Sequence, residues 1–381
     1  MFLYFSIFLL FVLIYLNSKK HPKDIKFLTF SMVGLALYVG CSDMLGGYDR
    51  YIYGAIFDEM SDITNAGGNP WRSYSFQIYA GEFGYGTLCA LISFITKNRY
   101  IYIFIVTIII YILLFISLRD YTSNYPFAVI LFMALWFFFT FTYLRQVLST
   151  TIAWFAIRYI SRRDLKRFLL VWFIAFSFHN AALIFLPMYF VPIKKFSPQK
   201  VLYIMGIALL IGLTPIPSTL FQAYSEIEEE RANVETYFVE GSFRIAYLIE
   251  AAFFLYIILS QYKKIPQKPR TIVLTNMSFV FCAILLFFIR SENGGRLAWY
   301  YMIGLISTIT YIVHKKGVSP FISRLLILIC LFLYFRIFNS WQIYNNLYPY
   351  KSFFTNGHRT PDYSYEKYEY DENYDKDKFY R

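Results

Sequence analysis

The chain alternates long apolar runs with short polar breaks. The runs reach about 17–25 residues, the length at which a helix crosses a hydrocarbon core of roughly 30 Å. They predict spans at 2–17, 26–42, 100–117, 125–143, 145–160, 166–190, 200–220, 243–260, 272–290, 297–313 and 321–340. The runs are continuous and lack the dyad alternation of a transmembrane β-barrel. The expected class is therefore an all-α polytopic membrane protein with about 10–12 transmembrane or re-entrant helices. A helical transmembrane domain over 1–340 would carry outer loops at 43–75 and 221–242. A polar, Tyr/Asp/Glu-rich tail over 341–381 would follow it outside the membrane.

Two segments do not fit a simple span. Residues 76–96 contain Glu82 with Gly81, Gly84 and Gly86, and 166–190 is interrupted by His179 ahead of Pro187. Positive charge arbitrates, because Lys and Arg concentrate in cytoplasmic loops. Suppose that 76–96 does not cross and that 166–190 dips in and returns near His179. The inner loops are then 17–26, 118–124, 158–167, 191–200, 261–270 and 314–324. They hold more than half of the 36 Lys and Arg and, of the 24 acids, only Asp24, Asp120 and Asp164. This topology places Asp49, Glu82, Arg145, His179, Arg290 and Arg296 at the outer face.

Composition agrees. The chain is 58% hydrophobic and 16% charged, with a mean hydropathy of +0.46, far from a soluble globular average. The net charge of +12 comes mostly from short loops between spans, so it does not indicate nucleic acid. Cys41, Cys89, Cys282 and Cys330 stand singly in apolar runs, which gives neither a disulfide framework nor a metal knuckle. No phosphate-loop, dinucleotide or zinc-protease motif occurs, and no cofactor or metal is expected.

The chemistry rests on a few polar residues beside apolar runs. Charge there is costly and marks candidate sites. Arg145 opens RQVLSTTIAWFAIRYI, where a guanidinium beside a helix N-terminus suits a phosphate or pyrophosphate; the plain alternative is a snorkelling arginine. Arg290 and Arg296 bracket the glycine turn of FFIRSENGGRLAWYY and would clamp a diphosphate, or act as interfacial anchors. His179 alone among four histidines interrupts an apolar segment, as a general base or as a structural imidazole. Asp49 and Glu82 are the runner-up bases. Tyr48, Tyr51, Trp71, Tyr74, Tyr79, Phe83 and Tyr85 would stack on sugar rings or form an aromatic belt at headgroup level.

Taken in order, these stretches resemble the EpsG-like, Wzy-type bacterial polysaccharide polymerases. RQVLSTTIAW resembles that family's "RQ-x-[LI]-[AS]" helix start, and FSFHNAALIFLP its "FH-x-[SA]-A-L-x-x-L-P" segment. YDRY, EFGYG and GGRLAWYY resemble its looser elements. The resemblance implies a GT-C-like transferase in the bacterial inner (cytoplasmic) membrane. It would polymerise undecaprenyl-pyrophosphate-linked repeat units into capsule, O-antigen or exopolysaccharide at the outer face. Donor and acceptor would both ride on undecaprenyl pyrophosphate, with a chain-length regulator and a flippase of the same pathway as possible partners. Arg145, Arg290 and Arg296 would hold pyrophosphate; Gln146, Tyr48 and Tyr300 would bind substrate; His179, Asp49 or Glu82 would take the proton. The rival readings are an O-antigen ligase-like transferase and a lipid-linked sugar flippase or transporter.

Overall fold

The computed structural model describes residues 2–17, 21–44, 46–47, 49–217, 219–220, 243–291, 294–314, 320–342, 347 and 350–354. In chain order the α-helices are α1 (Phe2–Asn17), α2 (Ile25–Gly40), α3 (Arg50–Asn65), α4 (Tyr74–Ile78), α5 (Phe83–Ser93), α6 (Arg99–Tyr121), α7 (Tyr125–Leu135) and α8 (Leu144–Trp154). They continue with α9 (Ile157–Arg162), α10 (Leu165–Phe178), α11 (Pro198–Gly212), α12 (Ile245–Ser260), α13 (Pro269–Phe287), α14 (Met302–His314) and α15 (Pro320–Gln342). Tight 3₁₀ runs at Ala80–Glu82, Phe137–Phe141, Asn180–Phe190 and Gly294–Tyr301 break or extend several of them. Among the described residues the only extended pairing is an isolated bridge between Ser42 and Ser352.

This is an all-α polytopic membrane protein. Among the described residues, four helical stretches are long and apolar enough to cross a bilayer: Arg99–Tyr121, Pro269–Phe287, Gly294–His314 and Pro320–Ser340. Shorter apolar helices stand at Phe2–Asn17, Ile25–Gly40, Tyr125–Leu135, Asn180–Phe190, Pro198–Gly212 and Ile245–Ser260. Large apolar side chains on these helices point outward, among them Leu10, Phe30, Leu210 and Tyr256. In lipid such a face carries no penalty, because the hydrocarbon is as apolar as the side chains. Helix starts near the basic loops are capped in the usual way. Asp24 accepts from the amides of Lys26 and Phe27, Asp164 from Arg167, and Ser197 from Lys200 ahead of α11.

The chain forms two compact units, one made of 1–116, 125–148 and 323–381, the other of 117–124 and 149–322. In the first, α1 and α2 both pack on α7. Tyr334 of α15 lies between Phe8 and Phe138, and its hydroxyl donates to the Tyr4 carbonyl at 3.0 Å. After α15 the chain returns along residues 41–43. The Asp43 amide donates to Lys351 O at 3.1 Å, Phe353 N to Cys41 O at 2.7 Å, and the Tyr350 hydroxyl to Tyr38 O at 2.8 Å. Residues 350–354, grouped by composition with the tail, thus belong to this unit's fold. Residues 355–381 and the predicted outer loop 221–242 lie outside the described residues.

The other predicted outer loop, 43–75, is not loop-like in its middle. It contains α3, whose buried Arg50, Tyr53, Gly54, Phe57, Met60 and Ser61 recur at three- and four-residue spacing. The Glu59 carboxylate accepts from the amides of Tyr74 and Ser75 at 3.2 and 2.8 Å, which seats the start of α4 on α3. An ion pair between Asp58 and Arg99 joins α3 to α6. Segment 76–96 folds as the five-residue α4, a 3₁₀ turn and the 11-residue α5. At 1.5 Å per residue, neither helix approaches the roughly 30 Å of a bilayer core.

In the second unit, α13 is the central helix, buried along nearly its whole length and packed by α9, α11, α12 and α14. Gly304 of α14 permits a close approach to α13. A Cβ there would stand 2.6 Å from the Leu274 carbonyl oxygen and collide with the Met277 Cβ. Small residues of this kind set helix spacing in membranes. Gly304→Val is expected to destabilise the protein by about 1–3 kcal/mol through overpacking. A thermal scan of the protein in detergent checks this; an unchanged midpoint would show that the helices separate freely.

Segment 166–190 folds back on itself. Phe168, near the start of α10, packs against Phe185 and Tyr189 of the returning 3₁₀ run, with ring centroids 6.2 and 4.9 Å apart. The Trp172 indole donates to Ala182 O at 2.8 Å. At the open end the Arg163 guanidinium holds the carbonyls of Tyr189 and Val191. The two ends of the segment are therefore side by side, and His179 is at the apex.

Candidate functional site

In the first unit the polar candidates meet around Arg145, the second residue of α8. Its Nη1 donates to Glu82 Oε2 at 2.5 Å, and Nε makes a long 3.4 Å contact to the Tyr53 hydroxyl. The guanidinium lies over two aromatic faces, 5.7 Å from the Tyr53 centroid and 5.5 Å from that of Tyr79. Such stacking attracts a cation to the ring quadrupole. Glu82 is buried, while the Arg145 side chain keeps 33% of its surface exposed. Nη2 has no partner among the described residues. The arrangement holds one edge of a planar five-donor group in place and presents the other, as a bidentate phosphate ligand requires.

The local sequence builds this geometry. Tyr79 follows the last residue of α4, Glu82 ends the following 3₁₀ turn, and both are delivered by the break that keeps 76–96 from forming one helix. Tyr85, one turn into α5, backs both rings of the cage, 5.9 Å from Tyr53 and 5.2 Å from Tyr79. Its hydroxyl pairs with Tyr102 at 2.6 Å, and Tyr102 stacks on Phe57 at 4.2 Å. Burial pushes the Tyr53 phenol up to about 12, against the opposing pull of Arg145. It is neutral at physiological pH and keeps a proton to donate.

Glu82 was one expected base. Ion-paired as it is, taking a proton would cost it Arg145, so its position suits orientation of the guanidinium better than proton transfer. Asp49 precedes α3 without capping it through its side chain, and its amide donates to Thr142 Oγ1 at 2.8 Å. The adjoining Arg50 is buried and donates to the carbonyls of Gly40 and Ser42 at 3.0 and 3.1 Å, which fixes the loop that carries Asp49. Gln146 is buried beside Arg145 in sequence. Tyr48 lies outside the described residues. Of the expected stacking aromatics, Trp71, Tyr74 and Phe83 are exposed, as a headgroup belt requires, whereas Tyr79 and Tyr85 are buried in the cage.

In the second unit, His179 is half-buried at the apex of the folded-back segment, with extended backbone angles that stop α10. Its carbonyl accepts from Ala182 N at 3.0 Å. Ser149 secures the approach to the apex. Its hydroxyl donates to Ala175 O at 2.7 Å and, having one proton, accepts from the Tyr300 hydroxyl at 2.9 Å. Tyr300 is fully buried and its carbonyl takes the Trp154 indole proton at 3.0 Å. These contacts brace the segment behind His179.

Arg296 is half-buried in the 3₁₀ run Gly294–Tyr301. The neighbouring Gly295 lies against the Tyr247 hydroxyl, and a Cβ there would push that ring aside. Arg290 donates from Nη1 to Leu213 O at 3.2 Å, at the C-terminus of α11. That contact is a favourable cation–dipole pairing in its own right. Glu292 and Asn293, the middle of the expected clamp, lie outside the described residues.

Sequence reasoning missed Tyr53, Ser149 and Glu250. Tyr53 was hidden in a segment read as loop, and Ser149 has the neighbours of an ordinary helix serine. Glu250 is a carboxylate in the otherwise apolar helix α12. An ionisable residue inside an apolar run was the signal that should have drawn notice to it.

The chain matches the model of the EpsG family over residues 46–352, a range that contains every candidate residue named above. No curated protein and no solved structure matches it.

Proposed function

Because the chain belongs to the EpsG family, and so to membrane proteins of polysaccharide-polymerase type, we propose that it joins lipid-linked oligosaccharide repeat units by glycosyl transfer. The donor is a growing glycan on undecaprenyl pyrophosphate and the acceptor one repeat unit on the same carrier, at the outer face of the bacterial cytoplasmic membrane. The product is capsule, O-antigen or exopolysaccharide. An acceptor hydroxyl attacks the donor's anomeric carbon. The glycosidic C–O bond forms as the bond from that carbon to pyrophosphate breaks, the hydroxyl proton passes to a base, and undecaprenyl pyrophosphate leaves with the electron pair.

The observation that supports this reading is Arg145, ion-paired by Glu82 and flanked by two tyrosine rings, with one guanidinium edge left to meet an anion. Charge growing on a leaving pyrophosphate is stabilised best by donors fixed beforehand in a place of restricted water. His179 is the proposed base. The external placement of the tail over 341–381 belongs to the same proposal.

Complementation tests it. In a host lacking its own polymerase but supplying the repeat unit, this chain should restore a polymer ladder and remove accumulated single units. A host that still accumulates single units on the outer leaflet, with the protein present in the membrane, would overturn the reading.

A further inference from the structure

Tyr79 carries an unpartnered polar group. Its side chain is 2% exposed, yet among the described residues its hydroxyl has no hydrogen-bond partner. Desolvating a hydroxyl without a partner is unfavourable, and buried polar groups in folded proteins nearly always find one. Phenylalanine would fill the same space without that penalty. The ring is also tightly placed. A Cβ on Gly86 would stand 3.1 Å from the Tyr79 Cβ, so the glycine leaves the room through which the tyrosine enters the cage. Its neighbours are the Arg145 guanidinium at 5.5 Å from the ring centroid and the Tyr85 ring at 5.2 Å.

Two polar groups in one cage therefore lack partners in the same state, the Tyr79 hydroxyl and the Nη2 of Arg145. Both are donors. Glu82, the anion of the cage, is engaged by Arg145 through the opposite terminal nitrogen. A group that completes both must bring acceptor oxygens close together and carry negative charge, which is the chemistry of a phosphate or pyrophosphate. From this we infer that Tyr79 is a substrate-contacting residue, donating a hydrogen bond to the pyrophosphate that Arg145 binds. The inference rests on the proposed function and adds a named donor to it. Binding requires the cage to open enough for a phosphate oxygen to reach the hydroxyl, and Tyr79 lies where the α-helix gives way to a 3₁₀ turn.

The test uses the full-length protein in nanodiscs, with undecaprenyl pyrophosphate as probe and undecaprenol as control. Wild type, Tyr79→Phe and Arg145→Lys are compared for affinity and thermal midpoint. Wild type should prefer the pyrophosphate lipid. Tyr79→Phe should bind it about tenfold more weakly, the loss of one hydrogen bond to a charged group, while melting at or above the wild-type temperature. A purely structural tyrosine would instead leave affinity unchanged. That outcome, with Arg145→Lys still weakened, overturns the role of Tyr79 and leaves the proposed function standing. If wild type does not distinguish the two lipids, the pyrophosphate site itself is refuted. If Tyr79→Phe melts well below wild type, the hydroxyl has a protein partner and the inference fails.

Discussion

Arg145→Lys is expected to abolish the polymer ladder in complementing cells, with a loss of about 100-fold or more, while the protein remains in the membrane at wild-type level. Lysine keeps the positive charge and can still meet Glu82, so the buried carboxylate is not left alone, a situation that costs several kcal/mol. What lysine lacks is the planar fork. After one bond to Glu82 its ammonium keeps two N–H groups, but they diverge from a single nitrogen and cannot make the parallel pair that a phosphate takes from a guanidinium edge, and it stacks less well on Tyr53 and Tyr79. Each charged hydrogen bond lost in the transition state is worth about 1.5–3 kcal/mol, so two of them account for the expected effect. Glu82→Gln should be milder, about tenfold, because the amide oxygen still accepts from Nη1 while the charge that aims the guanidinium is gone. Normal polymer from Arg145→Lys would return this arginine to the role of an anchor.

His179→Ala should lower the rate by about 100-fold or more, the range in which removal of a general base falls. The substitution removes an imidazole from the apex but leaves the features that shape it: the Trp172 bond to Ala182, the Arg163 clamp on Tyr189 and Val191, and the Ser149 bond to Ala175. Stability and membrane level should therefore hold. Added imidazole separates base from scaffold, since a free base can enter the vacated space. Partial recovery of rate with imidazole is expected in a purified assay. A variant that melts early and gains nothing from imidazole would show that His179 serves the fold of the apex.

The helical membrane class was legible in the apolar runs, and helix limits at 2–17, 25–40 and 320–342 lie within about two residues of the expected spans. Hydropathy could not see where a run changes its hydrogen-bonding pattern. The run 125–143 is continuous in sequence but ends its α-helix at Leu135 and tightens into a 3₁₀ turn at Phe137–Phe141, because burying phenylalanine satisfies both geometries equally. The interruption of 166–190 at His179 was readable, since a polar residue there has to be accommodated by a turn. The amphipathic α3 was overlooked because charged residues such as Asp58, Glu59 and Asp62 make its average polarity that of a loop. Its periodicity, Tyr53–Phe57–Met60, carried the signal instead.

For the site, sequence singled out Glu82 and Arg145 separately, by the cost of charge near apolar runs. Their pairing, across 63 positions, has no local signature. It arises because the break after α4 carries Glu82 to the start of α8, and only the folded chain contains that fact. Tyr79 was noted for its ring alone; the state of its hydroxyl depends on burial that no single-residue property encodes.

The proposed reaction forms glycosidic bonds at the expense of lipid pyrophosphate esters. The most direct test is reconstitution of the purified chain in proteoliposomes with undecaprenyl-pyrophosphate-linked repeat units and no nucleotide sugar. The expected product is a ladder of polymer lengths, with one undecaprenyl pyrophosphate released for each linkage made. Repeat units that cross between leaflets but stay single, with no carrier released, would contradict it and identify a transporter.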